Sequence, residues 1–101
     1  IVRLYQFLVN EKSEYVLSKQ LLRSVTSIGA NIEEADSAHT KKDFIAKLSI
    51  SLKEAKETHY WLRLMFECNY LDEKMYKSLI DECEELIMLL TSIIKTSRQN
   101  L

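Results

Sequence analysis

Residues 41–68 read KKDFIAKLSISLKEAKETHYWLRLMFEC, and this stretch indicates the fold class of the chain. Apolar side chains recur through it three or four residues apart, the spacing of one face of an α-helix. They are Phe44, Leu48, Leu52, Ala55, Leu62 and Phe66, with Trp61 and Met65 beside them. Thr40 and Asp43 resemble a capping box with Asp in place of Glu, which places the start of the helix near Lys41. At 1.5 Å per residue, the helix is expected to be about 42 Å long.

A short break follows this long helix. Asn69 favours the left-handed conformation that ends helices, and Asp72 can cap the next helix, which is expected to end near Ser97. The fourth helix carries an apolar stripe flanked by isoleucines: Leu79, Cys83, Leu86, Leu90 and Ile93, beside Ile80, Ile87 and Ile94. Because the break is so short, the third and fourth helices are predicted to form an antiparallel hairpin.

Two helices are predicted upstream of the hairpin. The second spans residues 15–36, where Leu21, Val25, Ile28, Ile32 and Ala35 form one stripe, and residues 37–40 end it. Residues 1–11 carry Leu4, Phe7 and Leu8 at helical spacing, before a polar break at residues 10–14. They are interpreted as the end of a first helix whose beginning is missing. The chain is therefore predicted to be one all-α domain over residues 1–101, an antiparallel up-and-down four-helix bundle.

Gly29 lies inside the second predicted helix, where Gly costs about 1 kcal/mol relative to Ala. Two interpretations are open. The glycine, beside Ser27 and Ala30, can mark a neighbouring helix that packs unusually close. Alternatively, it is a tolerated surface residue.

The composition excludes several classes of protein. The chain has no Pro and one Gly, with 47% hydrophobic and 29% charged residues, which argues against turn-rich β folds. Its 14 Lys and Arg against 15 Asp and Glu give a net charge of −1, so nucleic-acid binding is disfavoured. Cys68 and Cys83 lack metal-binding or disulfide spacing and are expected to be buried apolar thiols of a reducing cytoplasm. With no signal peptide and no apolar run of membrane length, a soluble cytoplasmic protein is expected.

Enzyme chemistry is not indicated. Di-iron bundle enzymes need two Glu-x-x-His pairs and two further Glu, whereas this chain offers only Asp36 with His39 and an isolated His59. No phosphate loop or nucleophile motif occurs. The sequence therefore predicts no catalytic residues, no metal ligands and no cofactor.

A polar stripe runs beside the apolar stripe of the second helix and has a counterpart on the third. The predicted cluster comprises Ser27, Asn31 and Glu34, with Glu54, Glu57 and Trp61. If the stripes face each other or a subunit boundary, Asn31 is expected to donate to a carboxylate and set the helix register. The alternative is that the glutamates are ordinary exposed carboxylates.

Two further surface features each have two interpretations. Tyr60, Trp61, Phe66 and Tyr70 form either a stacking platform for single-stranded nucleic acid or part of the core or an interface. Residues 41–68 hold six basic and four acidic residues, and residues 72–101 hold four and six. This asymmetry either keeps the surface solvated or orients contacts between subunits.

These residues also carry a family resemblance. Residues 24–35, SVTSIGANIEEA, resemble the S-I-x-x-N-I-x-E signature of the 23S ribosomal RNA intervening sequence protein family. Residues 54–62, EAKETHYWL, resemble the family's E-x-x-E-T-x-x-W-L segment, and Asp43, Phe44 and Leu48 precede it. The family is similar to the accessory variability protein of diversity-generating retroelements, which binds a reverse transcriptase and nucleic acid. The resemblance covers essentially the whole chain.

The resemblance implies a bacterial four-helix bundle that assembles into a homopentamer without catalysing a reaction. The first hypothesis is therefore an oligomeric scaffold or adaptor with an unidentified protein partner and no membrane association. The alternative is an accessory protein for RNA, DNA or a reverse transcriptase. Its phosphate-facing patch would be Lys41, Lys42, Lys47, Lys53 and Lys56.

Overall fold

Four α-helices form an antiparallel up-and-down bundle in a computed structural model that describes residues 2–10 and 14–100. They are α1 (Val2–Asn10), α2 (Val16–Asp36), α3 (Lys41–Glu67) and α4 (Glu73–Gln99). Each predicted helix is present. Ile1 and residues 11–13, which fall in the predicted first helix and first break, lie outside the described residues.

Local side-chain chemistry sets the helix ends. The Thr40 hydroxyl accepts a hydrogen bond from the backbone N–H of Asp43, and the Asp72 carboxylate accepts one from Met75. Asn69 has φ of 64°, so the left-handed termination predicted for α3 is confirmed.

The start of α2 is capped by a side chain that the sequence pattern did not indicate. The Glu14 side chain is buried and accepts hydrogen bonds from the backbone N–H groups of Val16, Leu17 and Ser18. Ser18 donates its hydroxyl proton to the Glu14 carbonyl at 2.8 Å. A carboxylate at the N-terminus of a helix satisfies otherwise unpaired N–H groups and stabilises the helix.

The third helix lies between α2 and α4 and contacts both. The buried apolar residues form two clusters along the bundle. All four helices and Leu71 contribute to the first: Leu4, Leu8, Leu21, Leu62, Met65, Leu71, Ile80 and Cys83. The second comes from α2, α3 and α4: Ile28, Ala35, Ile45, Leu48, Ala55, Leu90 and Ile94.

Two side chains predicted to be buried are not. Ile32 is 37% exposed and Ile93 is 36% exposed. The physical reason is that α1 contributes only to the first cluster, so among the described residues no fourth helix covers the parts of α2 and α4 that hold Ile32 and Ile93. A separate groove between α2 and α4 holds a cavity of about 240 Å³, which is lined by Val25, Ile28, Thr58, Leu62, Leu79, Glu82, Cys83 and Leu86.

Gly29 is exposed, and a Cβ atom built on it would meet nothing within 4 Å. The interpretation that it marks close packing against another helix is therefore wrong for the described chain. The structure supports the alternative of a surface glycine.

Candidate interaction surface on the second and third helices

Small hydroxyl residues line the contact between α2 and α3. The Thr58 hydroxyl donates to the Ser24 hydroxyl at 2.8 Å, and Ser24 donates to the Leu21 carbonyl at 3.0 Å. One turn after Ser24 along α2, the carbonyl of Ile28 accepts a hydrogen bond from the buried Ser51 hydroxyl of α3 at 3.0 Å. Short side chains let two helices approach, and the hydrogen bonds satisfy their polar atoms inside the core.

On the outer side of this contact, Arg23 of α2 bridges two carboxylates of α3. Its guanidinium donates to Glu54 at 3.2 Å and also to Glu57. The Trp61 indole N–H donates to the same Glu57 carboxylate at 3.3 Å. Three of the six predicted cluster residues therefore come together, and Arg23 joins them.

Arg23 and Glu57 each shift the pKa of the other toward the charged form. The hydrogen bond from Arg23 lowers the pKa of Glu57, with a further contribution from Trp61. The hydrogen bond with Glu57 raises the pKa of Arg23 in turn. Arg23 has a 47% exposed side chain, so solvent screens the pair and its contribution to stability is small.

The other three predicted residues lie outside this cluster. The Asn31 amide donates to the Ser27 carbonyl at 2.9 Å and lies 3.3 Å from the Ser27 hydroxyl, both on its own helix. Within this chain the Asn31 side chain therefore folds back along α2, and its predicted role at a subunit boundary stays a prediction. Glu34 forms a separate ion pair with Lys47 at 3.0 Å.

Arg23 was missed because an arginine on an exposed helix face usually remains solvated. The signal that points to it is the spacing of Glu54 and Glu57, which places two carboxylates on one side of α3. One guanidinium can reach both, since its donors form a planar fork.

The predicted aromatic cluster separates into two parts. Tyr60 and Trp61 meet edge to face with ring centroids 5.0 Å apart, and Arg63 lies 5.8 Å from the Tyr60 centroid. Phe66 instead stacks on Tyr76 of α4 at 4.2 Å. The second pair joins the α3–α4 hairpin, whereas Tyr60 remains on the surface.

The predicted lysine patch is spread along α3. Lys41, Lys42, Lys53 and Lys56 are exposed, whereas Lys47 pairs with Glu34. The hydrogen bond with Glu34 raises the pKa of Lys47, and the negative carboxylate offsets the positive charge of the lysine.

The profile of the 23S rRNA-intervening sequence proteins matches residues 1–92. The chain belongs to this family. A solved structure from the S23 ribosomal protein family of Bacteroides thetaiotaomicron, described as a protein with unknown function, has the same fold, with a TM-score of 0.91. It is 55% identical in sequence, and the match covers 93% of this chain and 84% of that one. No curated protein is significantly similar to the chain.

Neither the family description nor that structure indicates an enzyme. Over residues 2–10 and 14–100, no group of three His, Cys, Asp or Glu side chains is arranged to hold a metal ion. His59 instead links α3 to α4, because its Nε2 lies 3.1 Å from Glu84. Its Nδ1 accepts a hydrogen bond from Arg63 of the same helix at 3.0 Å. Within the same residues, none of the helices has the length and apolar character needed to cross a bilayer.

Proposed function

We propose that this family member is a non-enzymatic subunit of a cytoplasmic homopentamer that acts as a scaffold for a protein partner. Its single chain buries a small core, and association with further copies covers apolar surface that the chain leaves in water. A ring of identical subunits repeats each surface site, so weak contacts with a partner add up through avidity.

The observation that carries this proposal is the exposure of large apolar side chains on ordered helices. Met88 is 71% exposed in the middle of α4, and Val16 is 73% exposed at the start of α2. Leu89 follows Met88 and is 57% exposed, so α4 presents large apolar side chains on two of its sides. Extended exposed apolar area marks interaction surfaces more often than a single exposed residue does.

Light scattering coupled to size-exclusion chromatography tests the proposal. A pentamer has five times the 11.9 kDa mass of one chain. That mass, held over a hundredfold range of concentration, supports the proposal. A mass equal to one chain at every concentration refutes it.

A second candidate is an accessory protein that binds RNA or DNA. It is favoured by the exposure of Lys41, Lys42, Lys53 and Lys56 on one helix, with Tyr60 available for stacking. An oligomer would carry one copy of this lysine patch on each subunit, so several patches could bind one nucleic acid despite the net charge of −1 on each chain.

Fluorescence anisotropy with a labelled single-stranded RNA separates the candidates. Affinity that falls steeply with salt supports nucleic-acid binding, because neutralised phosphates release counterions. No binding at low salt removes this candidate.

A further inference from the structure

Two exposed faces of the chain carry opposite charges around apolar side chains. The basic face lies mainly on the outer side of α3 and comprises Ile50, Lys53, Lys56, Tyr60 and Arg63, with Met88 of α4 at its edge. The acidic face lies on the side of α4 turned away from α3 and comprises Asp81, Glu82, Glu85 and Leu89. We infer that the basic face of one copy binds the acidic face of the next, forming the subunit interface. This inference rests on the proposed homo-oligomer.

The basic face is continuous along one side of a helix. Lys53, Lys56, Tyr60 and Arg63 follow one another at spacings of three, four and three residues, which places them on one surface of α3. Ile50 is 42% exposed and Tyr60 is 47% exposed, so each offers apolar area to a partner. Arg63 lies over the Tyr60 ring and holds its charge beside that apolar area.

Three carboxylates lie near this positive charge. Glu67, exposed at the end of α3 and four residues after Arg63, marks the end of the basic face. Glu57 lies at one border of the basic face, where Arg23 and Trp61 engage it. Glu84 lies at the other border, where its Oε1 is 3.1 Å from His59. Lys53 and Lys56 are exposed between these borders.

The acidic face carries three carboxylates over residues 81–85, and two exposed lysines, Lys77 and Lys74, precede it one and two helical turns before Asp81. Asp81 and Glu85 are one helical turn apart, Glu82 lies beside them, and all three are exposed. Leu89, 57% exposed, follows one turn after Glu85. The face borders the groove between α2 and α4, because Glu82 also lines that groove. Ile93, one helical turn after Leu89, adds exposed apolar area.

Contact between two different faces of the same chain has a defined consequence for assembly. Each copy then binds one neighbour through its basic face and a second neighbour through its acidic face. Successive copies form a closed ring when the rotation that relates one copy to the next adds up to a full turn. Opposite charges around an apolar centre align the faces and disfavour like-with-like pairing.

A charge-swap experiment tests the inference on the full chain. The first variant carries Lys53→Glu and Lys56→Glu, the second carries Asp81→Lys and Glu85→Lys, and the third carries all four changes. We expect each double variant to weaken assembly roughly tenfold or more, because like charges then face each other. The third variant should recover the wild-type mass, because the charges are again opposite.

A matched control carries Lys19→Glu and Lys41→Glu, which reverse two exposed lysines outside both faces, on α2 and at the first residue of α3. It should assemble like the wild type, and circular dichroism should show every variant folded. Raising the salt to about 1 M should reduce the difference between the wild type and the double variants.

The outcomes separate this inference from the proposed function. A wild-type chain that is monomeric refutes the homo-oligomer itself. A wild-type oligomer with both double variants still assembled refutes only the assignment of the faces. A fourfold variant that stays dissociated, or an α3 variant that loses RNA binding while its assembly is unchanged, also refutes the assignment.

Discussion

The hydroxyl groups of Ser24 and Thr58 lie 2.8 Å apart, buried between α2 and α3. Thr58 is 34 residues away from its partner in the chain, so this hydrogen bond exists only when the two helices pack in this register. It links the helix pair that also carries the Arg23 cluster.

Replacing Thr58 with Val should lower the free energy of unfolding by about 1–2 kcal/mol, because Ser24 loses its hydroxyl partner in the core. The measurement is urea denaturation. Combining Thr58→Val with Ser24→Ala should cost less than the two separate effects added together. Strict additivity would show that the pair is not coupled.

Replacing Glu14 with Ala should destabilise the chain by about 1–2 kcal/mol, because three backbone N–H groups at the start of α2 lose their acceptor. Thermal unfolding measures the effect. Glu33→Ala is the matched control, since Glu33 is exposed on the same helix. Equal loss in both variants would contradict the capping role.

The ion pair of Glu57 with Arg23 should make stability depend on pH. The pKa of Glu57 is lower in the folded chain than its ordinary value of 4.5. Its contribution is therefore complete above pH 4.5 and is lost as the pH falls through the folded pKa. We expect Glu57→Gln to be less stable than wild type at pH 7, by less than about 1 kcal/mol, and the difference to shrink below pH 4. A difference that is constant between pH 3 and pH 7 would count against the pair.

The two cysteines should differ in their reaction with a thiol reagent. Burial raises the pKa of Cys83 to about 11, with a smaller contribution from Glu84, and its thiol donates to the Ala55 carbonyl. Cys68 is exposed. At pH 8, iodoacetamide should label Cys68 readily and Cys83 only after unfolding, because the thiolate is the nucleophile. Mass spectrometry of a Cys68→Ser variant isolates Cys83, and fast labelling of that folded variant would contradict its burial.

Replacing Gly29 with Ala should stabilise the isolated chain by about 0.5–1 kcal/mol. Alanine is the better helix former, and its Cβ meets no neighbour within 4 Å. The measurement is thermal unfolding at low protein concentration. Destabilisation there would show that a neighbouring group lies closer than the structure places it.

The sequence by itself determined the helices and most of their ends. Apolar residues at helical spacing can be removed from water only along one side of a helix, and Thr40, Asn69 and Asp72 act on the backbone a few residues away. Such local effects can be read from neighbouring residues. The family motifs also lie within short stretches of the chain.

Only the tertiary structure decided which polar and apolar side chains meet. Arg23 joins Glu54 and Glu57 across two helices, whereas Asn31 binds its own helix. On α4, the apolar residues form a band wide enough to fit more than one orientation. Packing against α3 buried Ile94 and left Ile93 partly in water. The rotation of each helix about its axis depends on the side chains of its neighbours, and periodicity along one helix does not contain that information.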